Sequence, residues 1–162
     1  MSWKLQVAEM KKTYITDQEA WNALHHFFYH GKTTTTYKYG FFKALLEGCI
    51  TANEQGEISY DAIFYSFTKI YWNLVIDHGL WQSNTRAQPS SVQKEIEKFA
   101  HQNSIPANWN FEKLTDTQKI ELVQKVKQVG KKYVIGALYG DFNGEIYSFD
   151  LKREYLQLHP KY

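Results

Sequence analysis

The sequence predicts a mostly α-helical domain, a bundle of about five helices with a small C-terminal antiparallel β-hairpin. Serine or threonine caps stand directly before aromatic and aliphatic residues that recur with helical periodicity. Two runs rich in β-branched and aromatic residues flank an Asn-Gly pair near the end of the chain. We therefore place the helical bundle in residues 1–132. The β-hairpin and C-terminal segment, packed on the bundle, occupy residues 133–162.

Length and composition limit the class of protein. A chain of 162 residues suits one domain and buries roughly 70% of the surface that its unfolded form exposes. The composition is aromatic, with 12 Tyr, 10 Phe and 5 Trp, and the net charge of +2 is too small to identify a partner. Residues 1–12 lack the apolar block of a signal peptide, and no apolar run approaches bilayer length. We expect a cytoplasmic protein with no membrane contact, which the single cysteine, Cys49, also suits.

The first helix begins at a capping box in which Thr16 and Glu19 bond each other's backbone amides. Its apolar face carries Trp21, Leu24 and Phe28, and it ends at Gly31. The second helix begins within the threonine run at 33–36, because threonine hydroxyls compete for backbone hydrogen bonds there. So much of this helix is apolar that we expect it to be largely buried. Its apolar stripe is Tyr37, Phe41, Ala44, Leu45 and Gly48, with Phe42, Leu46 and Cys49 beside it.

The third helix follows a turn at 53–56 and is capped by Ser59. One apolar stripe of this helix repeats every 3.6 residues, and Tyr65, Trp72 and Ile76 form a second. Two apolar stripes predict a helix at the centre of the bundle. The first stripe consists of Ile63, Phe64, Phe67, Tyr71, Leu74 and Val75.

Two further capping boxes, at Ser90–Gln93 and Thr115–Gln118, open the fourth and fifth helices. Lys131 and Lys132 follow Gly130, where cations suit the carbonyl end of a helix dipole. The pattern then changes to β-rich runs at 133–139 and 145–149 around Asn143-Gly144, which predicts an antiparallel hairpin.

No catalytic constellation is evident, and we expect no cofactor in this chain. His26 and His30 share a helix face, but the zinc-protease pattern requires a glutamate where Phe27 stands, so a structural or surface role is favoured. Cys49 has no nearby base that could activate it. The carboxylates are scattered, with no spacing typical of a metal-dependent nuclease.

The basic residues offer a candidate nucleic-acid surface. Lysines cluster along the fifth helix and its exit, as on a face that tracks phosphates, although an ordinary solvated helix face would look the same. Two more lysines lie beside Tyr37 and Tyr39, which either stack on bases or pack in the core. The candidate nucleic-acid-binding residues are Lys38, Lys43, Lys125, Lys127, Lys131 and Lys132.

Three blocks of the sequence carry a family resemblance. They are Thr-Thr-Tyr-Lys-Tyr-Gly-Phe-Phe-Lys-Ala-Leu-Leu at 35–46, residues 58–64 through 70–75, and residues 134–139 through 155–158. In this order they resemble the N-terminal helical region of bacterial proteins that carry a C-terminal HNH endonuclease domain. The resemblance covers roughly residues 16–158, and it implies a prokaryotic protein linked to nucleic-acid processing or phage defence.

The catalytic part of that family is missing here. HNH catalysis needs histidines as metal ligand and as general base, with an asparagine that orients the base. No such constellation follows, and His159-Pro160 stands where the family would continue. Either the sequence stops before the nuclease domain, or the chain is a stand-alone relative without one. No catalytic residue is carried over, and a divalent metal is expected only in a downstream nuclease domain.

Two functions are favoured at this point, and a third, a free-standing enzyme, would need a cleft that the sequence does not reveal. The first is a non-catalytic nucleic-acid recognition or scaffold module of an HNH-type defence nuclease. The second is a protein–protein interaction module, such as a complex subunit, a homo-oligomer or a phage-encoded inhibitor of a defence enzyme. An exposed hairpin edge and abundant tyrosine suit an interface of the second kind.

Overall fold

A computed structural model of the chain describes residues 6–11, 14–30, 36–83 and 88–159. Within these ranges five α-helices and four short β-strands form a mostly helical fold, which confirms the predicted fold class. The helices are α1 (Asp17–His30), α2 (Tyr37–Gly48), α3 (Tyr60–Trp72), α4 (Ser91–Gln102) and α5 (Asp116–Asp141). The strands are β1 (Val7–Ala8), β2 (Glu57–Ser59), β3 (Tyr147–Asp150) and β4 (Tyr155–Leu158). A 3₁₀ turn at Cys49–Thr51 extends α2, and a π-helical turn at Asn73–Asp77 extends α3.

The helix starts follow the predicted caps. Ser59 Oγ accepts a hydrogen bond from the Ala62 amide at 3.2 Å, and Ser90 Oγ accepts one from the Gln93 amide at 3.1 Å. Reciprocal capping boxes are present at Thr16–Glu19 and Thr115–Gln118. These four caps are confirmed because each depends on residues only three positions apart. The reciprocal half of the box predicted at Ser90–Gln93 does not form, because the Gln93 side chain contacts Glu97 and the Gln82 amide instead.

Helix α3 lies at the centre of the bundle, as predicted, and packs against α2, α4 and α5. Phe41 from the inner side of α2 contacts both Phe64 and Phe67 of α3, with ring centroids 5.8 and 5.7 Å apart. All three rings are fully buried. Burial of each such ring contributes roughly 1.5–3 kcal/mol, so this aromatic contact anchors the fold.

Helix α5 runs through the region where the sequence predicted a strand. The prediction of a strand over 133–139 is wrong, because these residues continue the helix to Asp141. Val134, Ile135 and Leu138 are buried with helical spacing. The β-branched residues suit either structure locally, and packing against the bundle decides in favour of the helix. Lys131 and Lys132 therefore lie within α5 and not at its carbonyl end.

Gly130 lets α5 approach α3 closely. A Cβ atom at this position would lie 2.8 Å from Cε1 of the buried Phe64 ring. The helix ends at Asp141, and the turn after it contains Asn143 and Gly144, whose φ angles are +55° and +71°. The Gly144 amide donates to the Tyr139 carbonyl at 2.9 Å. Asn143-Gly144 is thus a turn, as predicted, although it ends a helix and joins no strands.

A C-terminal hairpin is present, but it lies further along the chain than predicted. β3 and β4 pair antiparallel from Tyr147↔Leu158 to Asp150↔Tyr155. The carboxylate of Asp150 accepts from the amides of Lys152 and Arg153 and so closes the turn between them.

Two strands absent from the prediction extend the hairpin into a sheet of order β1-β3-β4-β2, with every pair antiparallel. One face of the sheet is buried against the helices, through Ala8, Ile58, Phe149 and Leu156. This supplies the additional pairing that an isolated two-stranded hairpin needs for stability.

Candidate interaction surface

Lys127, a candidate nucleic-acid contact, lies inside an ion cluster. Its side chain is only 9% exposed, and its Nζ lies 2.7 Å from Asp61 Oδ1 and 2.8 Å from Glu154 Oε2. Lys131 Nζ contacts the other Glu154 oxygen at 2.7 Å. The cluster connects α5 to the first turn of α3 and to the β3–β4 turn. The structure thus brings Lys127 and Lys131 together, but around a shared carboxylate.

The ion cluster shifts the pKa values of its members. Hydrogen bonds from Lys127 lower the pKa of the Asp61 and Glu154 carboxyl groups. Burial alone would lower the pKa of the Lys127 ammonium, but its hydrogen bonds to the two carboxylates outweigh burial and raise it. All three groups are therefore held in their charged forms, and the charge of Lys127 is balanced within the fold.

The other candidate lysines also lie against carboxylates. Lys38 Nζ lies 2.5 Å from Asp141 Oδ2 in a largely buried pair, at the far end of α5 from the ion cluster. Lys43 pairs with Glu47 one turn along α2, and Lys125 Nζ lies 3.5 Å from Glu121 Oε1. The Lys132 side chain lies outside the described residues. Asp141 is 14 positions beyond Lys127 on α5, roughly 21 Å. The lysines therefore do not form one continuous basic face.

The described histidine side chains of α1 and Cys49 contact other groups of the protein. His26 Nδ1 lies 3.2 Å from the Asp141 carbonyl oxygen, and the His25 ring stacks on Tyr29 with centroids 4.5 Å apart. The side chain of His30 lies outside the described residues. Among the residues that the structure describes, no three His, Cys, Asp or Glu side chains converge as metal ligands would. The Cys49 thiol donates to the Leu45 carbonyl, and burial raises its pKa, which does not favour a nucleophile.

A cleft of about 440 Å³ lies between α1 and the end of α5. Glu19, His26, Asp141 and Glu145 line it. Asp141 is already paired with Lys38, and Glu19 caps α1 at Thr16. The described lining contains no serine, threonine or cysteine that could act as a nucleophile. Asp141 and Glu19 are therefore already engaged in contacts within the fold.

Large exposed apolar side chains lie on α1, on α2 and in the 3₁₀ turn that follows α2. Ile50 is 90% exposed, Tyr29 75%, Trp21 63% and Leu46 53%. We call these residues, together with Phe28 and Tyr39, the α1–α2 strip. Large exposed apolar patches on a folded domain mark interaction sites.

Phe28 joins the two halves of the α1–α2 strip. Its ring lies nearly parallel to Tyr39, with centroids 6.1 Å apart, and meets Phe42 edge-on at 5.7 Å. These contacts bridge α1 and α2, so the exposed residues of the two helices meet at Phe28 and Tyr39. Tryptophan, tyrosine and phenylalanine are the residues enriched at protein interfaces.

The apolar face predicted for α1, Trp21, Leu24 and Phe28, packs on the core only at Leu24, which is why the strip was not predicted. The buried residues of α1 are Ala20, Ala23 and Phe27, whereas Trp21 and Phe28 face solvent. On α2 the predicted inner stripe is correct, but Leu46 is exposed. The available signal was the excess of apolar residues on both helices, which is more than one buried face can hold.

Comparisons with protein-family models, with curated proteins and with solved structures give no match to this chain. None of the helices in the described ranges combines the length and apolar character that a bilayer-spanning segment needs.

Proposed function

We propose that this chain is a non-catalytic protein-interaction module that binds its partner through the α1–α2 strip. The observation that carries the proposal is a set of large exposed apolar side chains on α1, on α2 and in the turn after α2, with Ile50 at 90% and Tyr29 at 75% exposure. Leaving such side chains in water gains nothing for the fold, whereas their burial at an interface is favourable. A scaffold role of this kind suits the resemblance to the N-terminal region of HNH nucleases.

The lysine contacts favour this function over nucleic-acid recognition. Phosphate binding requires lysines whose charge can replace the counterions of a nucleic acid. Here Lys38 and Lys127 are buried against carboxylates, and Lys43, Lys125 and Lys131 also contact acidic side chains. A nucleic acid would have to compete with these carboxylates at each site.

Site-specific photocrosslinking tests the proposal in cells that naturally encode the chain. A photoreactive benzoylphenylalanine replaces Ile50 in one sample and Tyr29 in another. The control replaces Lys98, an exposed residue of α4. The proposal predicts protein adducts from positions 50 and 29 and none from position 98. Equal adducts at all three positions, or none at any, would contradict it.

Binding to oligonucleotides separates the two functions. The wild-type chain is mixed with a labelled duplex and with a single strand at low and moderate salt. The proposal predicts no retention of either oligonucleotide in a gel-shift assay. Retention that weakens with salt and is reduced by Lys125→Ala would instead support nucleic-acid recognition.

A further inference from the structure

After its first turn, the outward side of α1 carries aromatic and uncharged polar side chains. Between Ala20 and His30 the sequence contains no Asp, Glu, Lys or Arg, although these residue types make up 22% of the chain. Trp21, His25 and Tyr29 follow one another at intervals of four residues, which places them along one side of the helix. Trp21 is 63% exposed and Tyr29 75%, and His25 between them is also exposed.

Helix α4 shows what a solvent-facing helix of similar length looks like in this protein. Its exposed residues include Lys94, Glu97 and Lys98. Charged residues on the outer face are the usual pattern for a surface helix that faces water. The outward side of α1 departs from this pattern, because it exposes indole, imidazole and phenol rings instead. Depletion of charge together with enrichment of aromatic residues is what distinguishes the centre of a protein interface from other surface.

Several side chains on this side of α1 hold one another in place. The His25 ring stacks on Tyr29 with centroids 4.5 Å apart and an angle of 27° between the ring planes. Gln18 donates a hydrogen bond to the side-chain oxygen of Asn22 at 3.0 Å. Side chains that are ordered before binding lose less conformational entropy when a partner covers them. Tryptophan and tyrosine are also the residue types that contribute most to the binding energy of an interface.

The absence of charge indicates the chemistry of the partner. A nucleic acid or an anionic lipid surface needs Lys or Arg to neutralise its phosphates, and positions 20–30 contain neither. A charged protein segment would lose its hydration here without gaining an opposite charge, which is unfavourable. An apolar protein segment without charges is stabilised by the same contact, because both surfaces leave water.

We propose that the centre of the interface lies on the outward side of α1 and that it binds an apolar, uncharged segment of another protein. This inference rests on the proposed function, because it names the chemistry of the partner for the same surface. The α2 part of the strip forms the rim. Leu46 is followed in the sequence by Glu47, whose ion pair with Lys43 is exposed, and charged groups of this kind are typical of a polar rim.

Charges of both signs at position 25 test the chemistry of the partner. Benzoylphenylalanine at position 29 reports binding in cells that naturally encode the chain, and it is combined with His25→Lys, His25→Glu or His25→Gln. The inference predicts that the lysine and the glutamate each weaken the protein adduct at least about tenfold, because either charge would be buried opposite an uncharged segment. His25→Gln adds no charge and should retain most of the adduct.

A change of charge on the rim is the matched control. Glu47→Lys alters the charge of α2 and leaves α1 unchanged, so the adduct from position 29 should keep its strength. Urea unfolding curves of all four variants should agree closely with that of the wild type, because the altered side chains are exposed. A weaker adduct from the two charged variants at position 25 then reports on binding and not on folding.

The signs of the effects separate this inference from the proposed function. A protein adduct that strengthens with His25→Lys or with His25→Glu indicates a charged partner, and one that both charges leave unchanged places α1 outside the interface. An adduct of twice 19.1 kDa indicates that this side binds a second copy of the chain. Each of these results overturns the inference while the proposed function stands. No adduct from position 29, or an adduct with nucleic acid or lipid, contradicts the proposed function as well.

Discussion

The two sides of α2 carry similar residues but serve different purposes. Leu45 and Leu46 are neighbours in the sequence, yet Leu45 is 2% exposed and Leu46 is 53% exposed. The inner side, with Phe41, fills the contact with α3, whereas the outer side belongs to the α1–α2 strip. Hydrophobic residues on one helix therefore stabilise either the fold or an association, according to the side they occupy. Variants that separate these two contributions test it.

The largest expected effect comes from the matched pair Leu45→Ala and Leu46→Ala. Removing the buried leucine leaves a cavity and should lower the free energy of unfolding by about 2–5 kcal/mol. The same change at Leu46 removes a side chain already in water and should cost less than about 1 kcal/mol. Urea denaturation measures both values. Similar losses for the two variants would refute the assignment of inner and outer sides.

A second comparison sets the buried Lys127 against the exposed Lys43. Lys127→Met leaves Asp61 and Glu154 without their shared cation, and we expect a loss of about 1–3 kcal/mol in the free energy of unfolding. Lys43→Met removes only an exposed ion pair and should change it by less than about 1 kcal/mol. Urea denaturation of the two variants measures both changes in the free energy of unfolding. A Lys43 variant as unstable as the Lys127 variant would contradict this account of the lysines.

Close packing of α5 on α3 gives the next effect. Gly130→Ala places a methyl group 2.8 Å from the Phe64 ring, which is fully buried and cannot move freely. We expect the free energy of unfolding, measured by heat or urea, to fall by about 1–2 kcal/mol. This loss is net of the gain from alanine, which has a higher helix propensity than glycine. Gln128→Ala, at an exposed position two residues earlier on α5, is the control. A Gly130 variant more stable than the wild type would show that α5 lies further from α3.

The smallest effect is a dependence on pH. Asp61 and Glu154 have lowered pKa values in the folded state, so their contribution to stability is complete above their unfolded pKa values near 4. It is lost as pH falls through the folded pKa values, since the unfolded state then binds more protons. The wild type should therefore lose stability on acidification below about pH 4 more steeply than Lys127→Met. If the free energy of unfolding falls equally steeply for the two proteins between pH 5 and 2, Lys127 does not stabilise these carboxylates.

Features set by neighbouring residues could be predicted from the sequence. The caps at Thr16, Ser59, Ser90 and Thr115 each depend on a partner three positions away, and all four hydrogen bonds are present. The inner stripe of α2 was also predictable, because its helical period is unambiguous.

Features set by distant residues could not be predicted in this way. The run at 133–139 is β-branched enough to suggest a strand, and only its packing beyond Gly130 makes it helical. The lysines of α5 look free in the sequence because the partners of Lys127, Asp61 and Glu154, lie 66 and 27 residues away. The outward direction of Trp21 likewise depends on how α1 sits against α5.

The most direct test of the central claim measures crosslinking from position 50 with and without an intact strip. Benzoylphenylalanine at Ile50 is introduced into the wild-type chain and into a chain that also carries Leu46→Asp. We predict a protein adduct from the first chain, a several-fold weaker adduct from the second, and the same unfolding curve for both. An adduct that is unchanged by Leu46→Asp, or a nucleic-acid adduct at this position, would contradict the claim that the α1–α2 strip is a protein-binding surface.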